Sequence, residues 1–283
     1  MDVTYVGTDA NGLVKISDIE DAITEKTCLI SVLMASNETG AVQDIKGIVQ
    51  MAKKHNVLVH SDGAQAIGKM KVDMIDLGVD YFTFSAHKFH GPKGIGAMFI
   101  KGGAPYTTLI HGSKNVMGGK RAGSLYNNGV AAMATALEIA NINLPLMEKS
   151  VQSLRDRLED ELLTIPDTKS YVPRVKRLKN LVAMSFRGVE GESMLWDMNE
   201  NGIYISTGSS CSSEDLEGSA VVEALGEVTE IANTTVMFAL SKFTTDEEVD
   251  YVIEKVKSAV SRIREISMTY AKQEAFTQYV EDH

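Results

Sequence analysis

Lys88 lies in the run Phe84-Ser85-Ala86-His87-Lys88-Phe89-His90-Gly91-Pro92-Lys93-Gly94-Ile95-Gly96, where an amine leaves an apolar strand beside a hydroxyl and an imidazole. Upstream, the apolar run Val57-Leu58-Val59 ends in His60-Ser61-Asp62, which puts a carboxylate, expected to be buried, at the end of a neighbouring strand. A lysine held near neutrality condenses with carbonyls, and a carboxylate beside a pyridine nitrogen keeps that ring an electron sink. Lys88 for a Schiff base, Asp62 for a ring nitrogen, and Ser85 and His87 for a phosphate are the parts of a pyridoxal phosphate site. Lys88 on its own would read as a solvated lysine in a turn, so its setting carries the assignment.

Other chemistries fit less well. His87 and His90 have no carboxylate or thiol at ligand spacing, so no metal site is expected. Lys93 among Gly91, Gly94 and Gly96 lacks the G-x-x-x-x-G-K-[ST] order of a phosphate loop, and these glycines are expected to shape a turn into the next strand. The two cysteines, Cys28 and Cys211, form no disulfide framework or zinc pattern. Cys28, in Thr27-Cys28-Leu29-Ile30-Ser31-Val32-Leu33-Met34, is expected to be buried in a strand as a small hydrophobe. Cys211, in Ser206-Thr207-Gly208-Ser209-Ser210-Cys211-Ser212-Ser213, is expected on an exposed loop as a reactive thiol.

The elements that must position these residues alternate. Helices are expected near 18–25, 43–55 and 71–78, and strands at 28–34, 57–61, 80–85 and 95–100, a βαβ pattern that builds a mainly parallel sheet. In open sheets of this kind ligands bind beyond the carboxyl ends of the strands, where Asn37, Asp62 and Ser85 to Lys88 fall. Residues 101–129 are glycine-rich and expected to form a long loop. A helix of about 132–165, interrupted near Pro145, leads into a second part with strands near 180–186 and 234–241 and helices near 191–201, 218–225 and from 245. Thr245 and Glu248 form a capping box, and Val249, Val252, Ile253, Val256, Val260 and Ile263 share one helical face. The expected fold is α/β: a mainly parallel large domain over 1–143, and a smaller α+β domain over 144–283 that carries the cysteine loop.

With 283 residues, 44% of them hydrophobic, the chain can bury a full core, and its net charge of -10 argues against an electrostatic grip on nucleic acid or anionic lipid. No apolar stretch approaches the roughly twenty residues that cross a bilayer, and Met1-Asp2-Val3-Thr4 is no signal peptide, so a cytoplasmic location and no membrane partner are expected.

Four motifs in order carry a specific resemblance: Ser36-Asn37-Glu38-Thr39-Gly40, Ser61-Asp62-Gly63-Ala64-Gln65, Ser85-Ala86-His87-Lys88 through Gly96, and Ser206 through Ser213. The chain resembles the cysteine desulfurases, class V aminotransferases of fold type I, over essentially its whole length. The resemblance implies that Lys88 bonds pyridoxal 5'-phosphate, Asp62 pairs with its ring nitrogen, Gln65 with its phenolic oxygen, and Ser85 and His87 with its phosphate. It implies that Asn37 lies near the phenolic oxygen and the substrate carboxylate. Ser124 matches a phosphate contact lent by a neighbouring subunit, which implies a homodimer. Cys211 would take sulfur from L-cysteine as a persulfide, leaving L-alanine, and hand it to a sulfur acceptor or iron-sulfur scaffold protein, for cluster assembly or transfer-RNA thiolation.

Two departures accompany the resemblance. Family members carry roughly a hundred further residues ahead of the position of Met1, including a phosphate loop and a ring-stacking histidine, so the large domain is expected to be incomplete. Met237 stands where the family places an arginine that clamps the substrate carboxylate, and a thioether cannot form that bidentate pair. Lys242, five residues on along a strand, points to the opposite face. A related class V lyase or transaminase with altered carboxylate binding, and a catalytically inactive paralogue acting as a binding partner, are the alternatives.

Overall fold

The computed structural model describes residues 2–113, 116–208, 219–267 and 270. The chain divides into two compact units, one of residues 20–35 and 43–144, the other of residues 1–19, 36–42 and 145–283, and two four-stranded sheets form. A short helix, α1 (Ile16–Asp21), is smaller and earlier than the 18–25 expected, and it buries only Ile19.

In the first unit, β1 (Leu29–Leu33), β2 (Leu58–Asp62), β3 (Tyr81–Ser85) and β4 (Gly96–Ile100) lie in the order β1-β2-β3-β4. The first two pairings are parallel and the third antiparallel. A parallel return needs a crossover of a dozen or more residues, and the ten residues between β3 and β4 are too few. Helix α2 (Ile45–Lys54) supplies the first crossover. Asp44 caps it by accepting from the Gly47 N–H at 2.9 Å, and Ile45, Ile48, Val49 and Ala52 are buried along one stripe. The second crossover holds α3 (Met74–Leu77), a single turn that Asp73 caps and Gly78 ends in the left-handed conformation.

Burial alternates along β1 and β2. Ile30, Val59, Ser61 and Phe82 are buried, whereas Leu29, Leu33, Asp62 and Met98 turn to the other face and are exposed. Two expectations are corrected here. Asp62 ends its strand exposed rather than buried, because it shares the open face with Leu29 and Leu33 through the register Leu33↔Asp62. Cys28 is exposed rather than buried in a strand, because β1 begins one residue after it. The stretch expected as a loop carries a short turn at Met117–Gly119, and α4 (Asn127–Ile142) starts earlier than 132. The break at Pro145 is present as a short α5 (Leu144–Leu146) followed by a π turn, Met147–Val151, since proline lacks the N–H an uninterrupted helix needs.

The second unit is α+β. Its strands β5 (Thr168–Ser170), β6 (Leu181–Phe186), β7 (Ser206–Thr207) and β8 (Thr235–Ala239) run antiparallel in the order β5-β6-β8-β7. Helices α6 (Gln152–Leu162), α7 (Gly191–Glu200) and α10 (Asp246–Ile266) bury Leu154, Leu158, Met194, Met198, Val256 and Val260 with Val182, Met184, Phe186, Val236 and Phe238 of the strands. The capping box opens α10: Thr245 Oγ1 accepts from the Glu248 N–H at 3.2 Å and Glu248 accepts from the Thr245 N–H at 2.9 Å. Two small helices, α8 (Ala220–Ala224) and α9 (Thr229–Ala232), border a second cluster in which Ala183 and Met237 meet Tyr171, Val172, Val222 and Leu225. Arg177 is buried in this unit because Glu159 pairs with it and the carbonyls of Tyr171 and Val172 accept from it at 2.9 and 3.0 Å. No single described helix is long and apolar enough to cross a membrane.

Candidate functional site

Parallel pairing brings the ends of β2 and β3 side by side, with Asp62 opposite Thr83 and Ser85 two residues further along the same face. The chain then closes a tight 3-10 turn, Ala86–Phe89, which exposes His87 and Lys88 and buries Ala86 and Phe89. His90 ends the turn at φ 67°, and the N–H groups of His90 and Gly91 both donate to the Ala86 carbonyl. A side chain at Gly91 would press within 2.9 Å of Ala86, so glycine is required for this closure. Lys88 is therefore presented on a short turn closed on the Ala86 carbonyl and tied at its start by the Ala86 N–H, which donates to the carbonyl of Ile95, just before β4, at 3.1 Å.

Asp62 is held on both oxygens. Oδ1 accepts from the Ala64 N–H at 2.8 Å, and Oδ2 accepts from Thr83 Oγ1 at 3.3 Å. Thr83 Oγ1 also meets His60 Nε2 at 3.1 Å, and His60 Nδ1 meets Ser31 Oγ at 2.8 Å, so a polar chain crosses three strands behind the carboxylate. Burial holds the His60 imidazole below its ordinary range, and the Asp62 charge partly offsets that.

From Gly63 the backbone coils through Lys69, with the Ala66 and Ile67 N–H groups donating to the Gly63 carbonyl. One turn of this coil sets Lys69 over Gln65, and the Lys69 ammonium donates to the Gln65 side-chain oxygen. Burial first, and the nearby Lys88 charge second, lower the Lys69 amine to about 8. The sequence reading passed over Lys69, Thr83 and Ser31. The Gln65 to Lys69 spacing of four and the alternation His60-x-Asp62 were the signals available.

These residues fit pyridoxal phosphate. Two amines repel each other here, which favours an anionic or electrophilic ligand between them, and a carboxylate with lone pairs to spare ends the adjacent strand. Lys88 would bond the aldehyde, Asp62 would meet the ring nitrogen, and Ser85 and His87 offer donors to a phosphate. Among the described residues, no three of His, Cys, Asp and Glu are grouped to hold a metal ion.

The remaining sequence-derived positions are each placed within their own unit. Ser124 is exposed in the stretch before α4. Asn37 belongs to the second unit, exposed on the turn where Ser36 Oγ accepts from the Glu38 and Thr39 N–H groups at 3.2 and 3.1 Å. Met237 is buried at 8% exposure, paired across the sheet with Ala183 and Ser206. Cys211 lies outside the described residues, between Gly208 and Ser219.

Residues 1–252 match the aminotransferase class-V family. A cysteine desulfurase IscS of Clostridium botulinum is 40% identical over 268 residues, covering 94% of this chain and 67% of its own length. A cysteine desulfurase IscS of Methanosarcina thermophila is 38% identical, with 94% and 66% covered. Among solved structures, a NifS-like protein superposes with a TM-score of 0.85 at 35% identity, covering 92% of this chain and 68% of that one. The chain thus spans about two thirds of the length of the relatives it matches. With a family match over most of its length, desulfurase relatives at up to 40% identity and a lysine, acid and glutamine grouped at two parallel strand ends, the chain belongs to the class V aminotransferases, among the pyridoxal phosphate-dependent cysteine desulfurases.

Proposed function

We propose that Lys88 and Cys211 are the two catalytic residues of this desulfurase, and that the strand ends carrying Asp62, Gln65, Ser85 and His87 form its cofactor site. What carries the assignment is the placement of Lys88 just after β3 and Asp62 at the end of its parallel neighbour β2. Bound pyridoxal phosphate supplies an electron sink for a carbanion on the substrate. Asp62, already oriented by the Ala64 N–H and Thr83, holds a proton at the ring nitrogen. Lys88 moves protons to and from the substrate carbons once its amine is released. Asn37 orients the substrate carboxylate. The Cys211 thiolate attacks the sulfur of L-cysteine; a sulfur–sulfur bond forms as the carbon–sulfur bond breaks, and the electron pair left on carbon takes a proton to give L-alanine.

The persulfide on Cys211 then passes to a protein acceptor, for which an iron-sulfur scaffold is proposed from the relatives named IscS. A related solved structure at 26% identity, titled SspA in complex with cysteine, is consistent with cysteine as substrate. The proposal extends to a homodimer in which each exposed Ser124 serves the partner's phosphate, and to a cytoplasmic setting, where reducing conditions keep a lone nucleophilic thiol free.

The test is direct. Purified protein given pyridoxal phosphate develops the visible absorbance of the bound cofactor, and with L-cysteine it releases alanine and acquires a persulfide. Cys211→Ser keeps the absorbance but loses the persulfide, and Lys88→Ala loses the absorbance. One observation favours a second reading: Met237 sits in an apolar cluster where the relatives' carboxylate clamp is expected. Absorbance without alanine from any cysteine concentration would move the assignment to a class V enzyme with another substrate.

A further inference from the structure

The carboxamide of Gln65 can face a ligand in either of two orientations, presenting an acceptor oxygen or a donor NH2, and only a partner on its other side decides between them. That partner is Lys69. An ammonium group has three donors and no acceptor, so it takes the Gln65 oxygen and leaves the NH2 pointing away. The tie is local and built in. Gly63 and Gly68 let the coil lie against the sheet and the Lys88 turn: a side chain at Gly63 would collide with the Phe82 ring, and one at Gly68, at φ +75°, would come within 2.7 Å of Phe89 Cβ. The coil therefore lies directly against the segment that presents Lys88.

We propose that Lys69 is a positioning residue of the cofactor site, holding Gln65 so that its amide donates to an anionic ring oxygen. The proposal rests on the assignment of Gln65 to the phenolic oxygen. With the amide reversed, carbonyl oxygen would face that anion and repel it. The half-buried Lys69 amine, lowered to about 8 by burial and by Lys88, still carries its proton at neutral pH and so still donates.

Full-length wild type, Lys69→Met, Lys69→Arg, Gln65→Ala and the Lys69→Met/Gln65→Ala double variant are titrated with pyridoxal phosphate, reading the visible band. Lys69→Met should weaken binding about tenfold, the size of one hydrogen bond to a charged group, and Lys69→Arg should retain most of it. Because Lys69 acts through Gln65, the double variant should bind no more weakly than Gln65→Ala alone. Unchanged affinity in Lys69→Met, or losses that add in the double variant, would overturn the proposal, as would equal loss in Lys69→Arg with an unaltered circular dichroism spectrum. A second measurement needs no cofactor: the Gln65 side-chain amide resonances should shift in Lys69→Met and not in Lys69→Arg. A wild type that never develops the band would defeat the cofactor assignment itself, and constant Gln65 resonances would defeat the tie on their own.

Discussion

Gly63 follows Asp62 directly, and its replacement by alanine is the sharpest test of how the site is seated. A Cβ there would lie 1.9 and 2.2 Å from Cζ and Cε1 of Phe82, a ring with 0% exposure that leans on Phe84 with centroids 6.4 Å apart. Ordinary carbon contacts begin near 3.5 Å, so the ring would have to retreat by about 1.5 Å into a packed sheet. Overpacking of this kind costs about 1–3 kcal/mol, and with strands on both sides the upper end, about 3 kcal/mol, is expected for Gly63→Ala. Urea denaturation measures it as a lowered midpoint at constant slope. Phe82→Ala alone should cost about 3–5 kcal/mol, but in its background the added methyl has room, so Gly63→Ala should then cost close to nothing. A single variant within about 0.5 kcal/mol of wild type, or a double variant whose losses simply add, would refute the reasoning. The same displacement should pull Asp62 out of register and weaken cofactor absorbance.

Two further outcomes are expected. His60 has its proton affinity depressed in the fold, so the unfolded chain binds protons more readily; the stability His60 contributes is full above its ordinary 6.5 and is lost as pH falls below that value. His60→Gln should flatten the fall of the urea midpoint over that interval, and an unchanged pH profile would remove His60 from the chain behind Asp62. Met237→Arg should lower KM for L-cysteine about tenfold by offering the bidentate partner that the thioether lacks, while destabilising the unit by about 1–3 kcal/mol because a charge enters an apolar cluster. Stability loss without any change in KM would show that substrate carboxylate is bound elsewhere.

Periodicity and punctuation made the helices α2 and α10 and the strands β1 to β4, β6 and β8 legible in the sequence, because apolar spacing and caps such as Thr245 with Glu248 act within a few residues. Short elements escaped: β5, β7 and α9 have two to four residues each, too few for a period, and exist through pairing or packing with distant residues. Lys88 and Asp62 were legible as chemistry, since an amine and an acid at strand ends are marked by local order alone. Which face Asp62 takes depends instead on the register Leu33↔Asp62 and on which side α2 covers, so its exposure, like that of Cys28, had to come from the assembled sheet. The polar chain Ser31, His60, Thr83, Asp62 draws on three strands separated by twenty to thirty residues, and only parallel pairing aligns them. Sequence by itself therefore determined the kind of chemistry, because residue type and immediate neighbours carry it, whereas the tertiary structure decided the orientation of each group, because hydrogen bonds and steric contacts between remote segments hold a side chain in one direction.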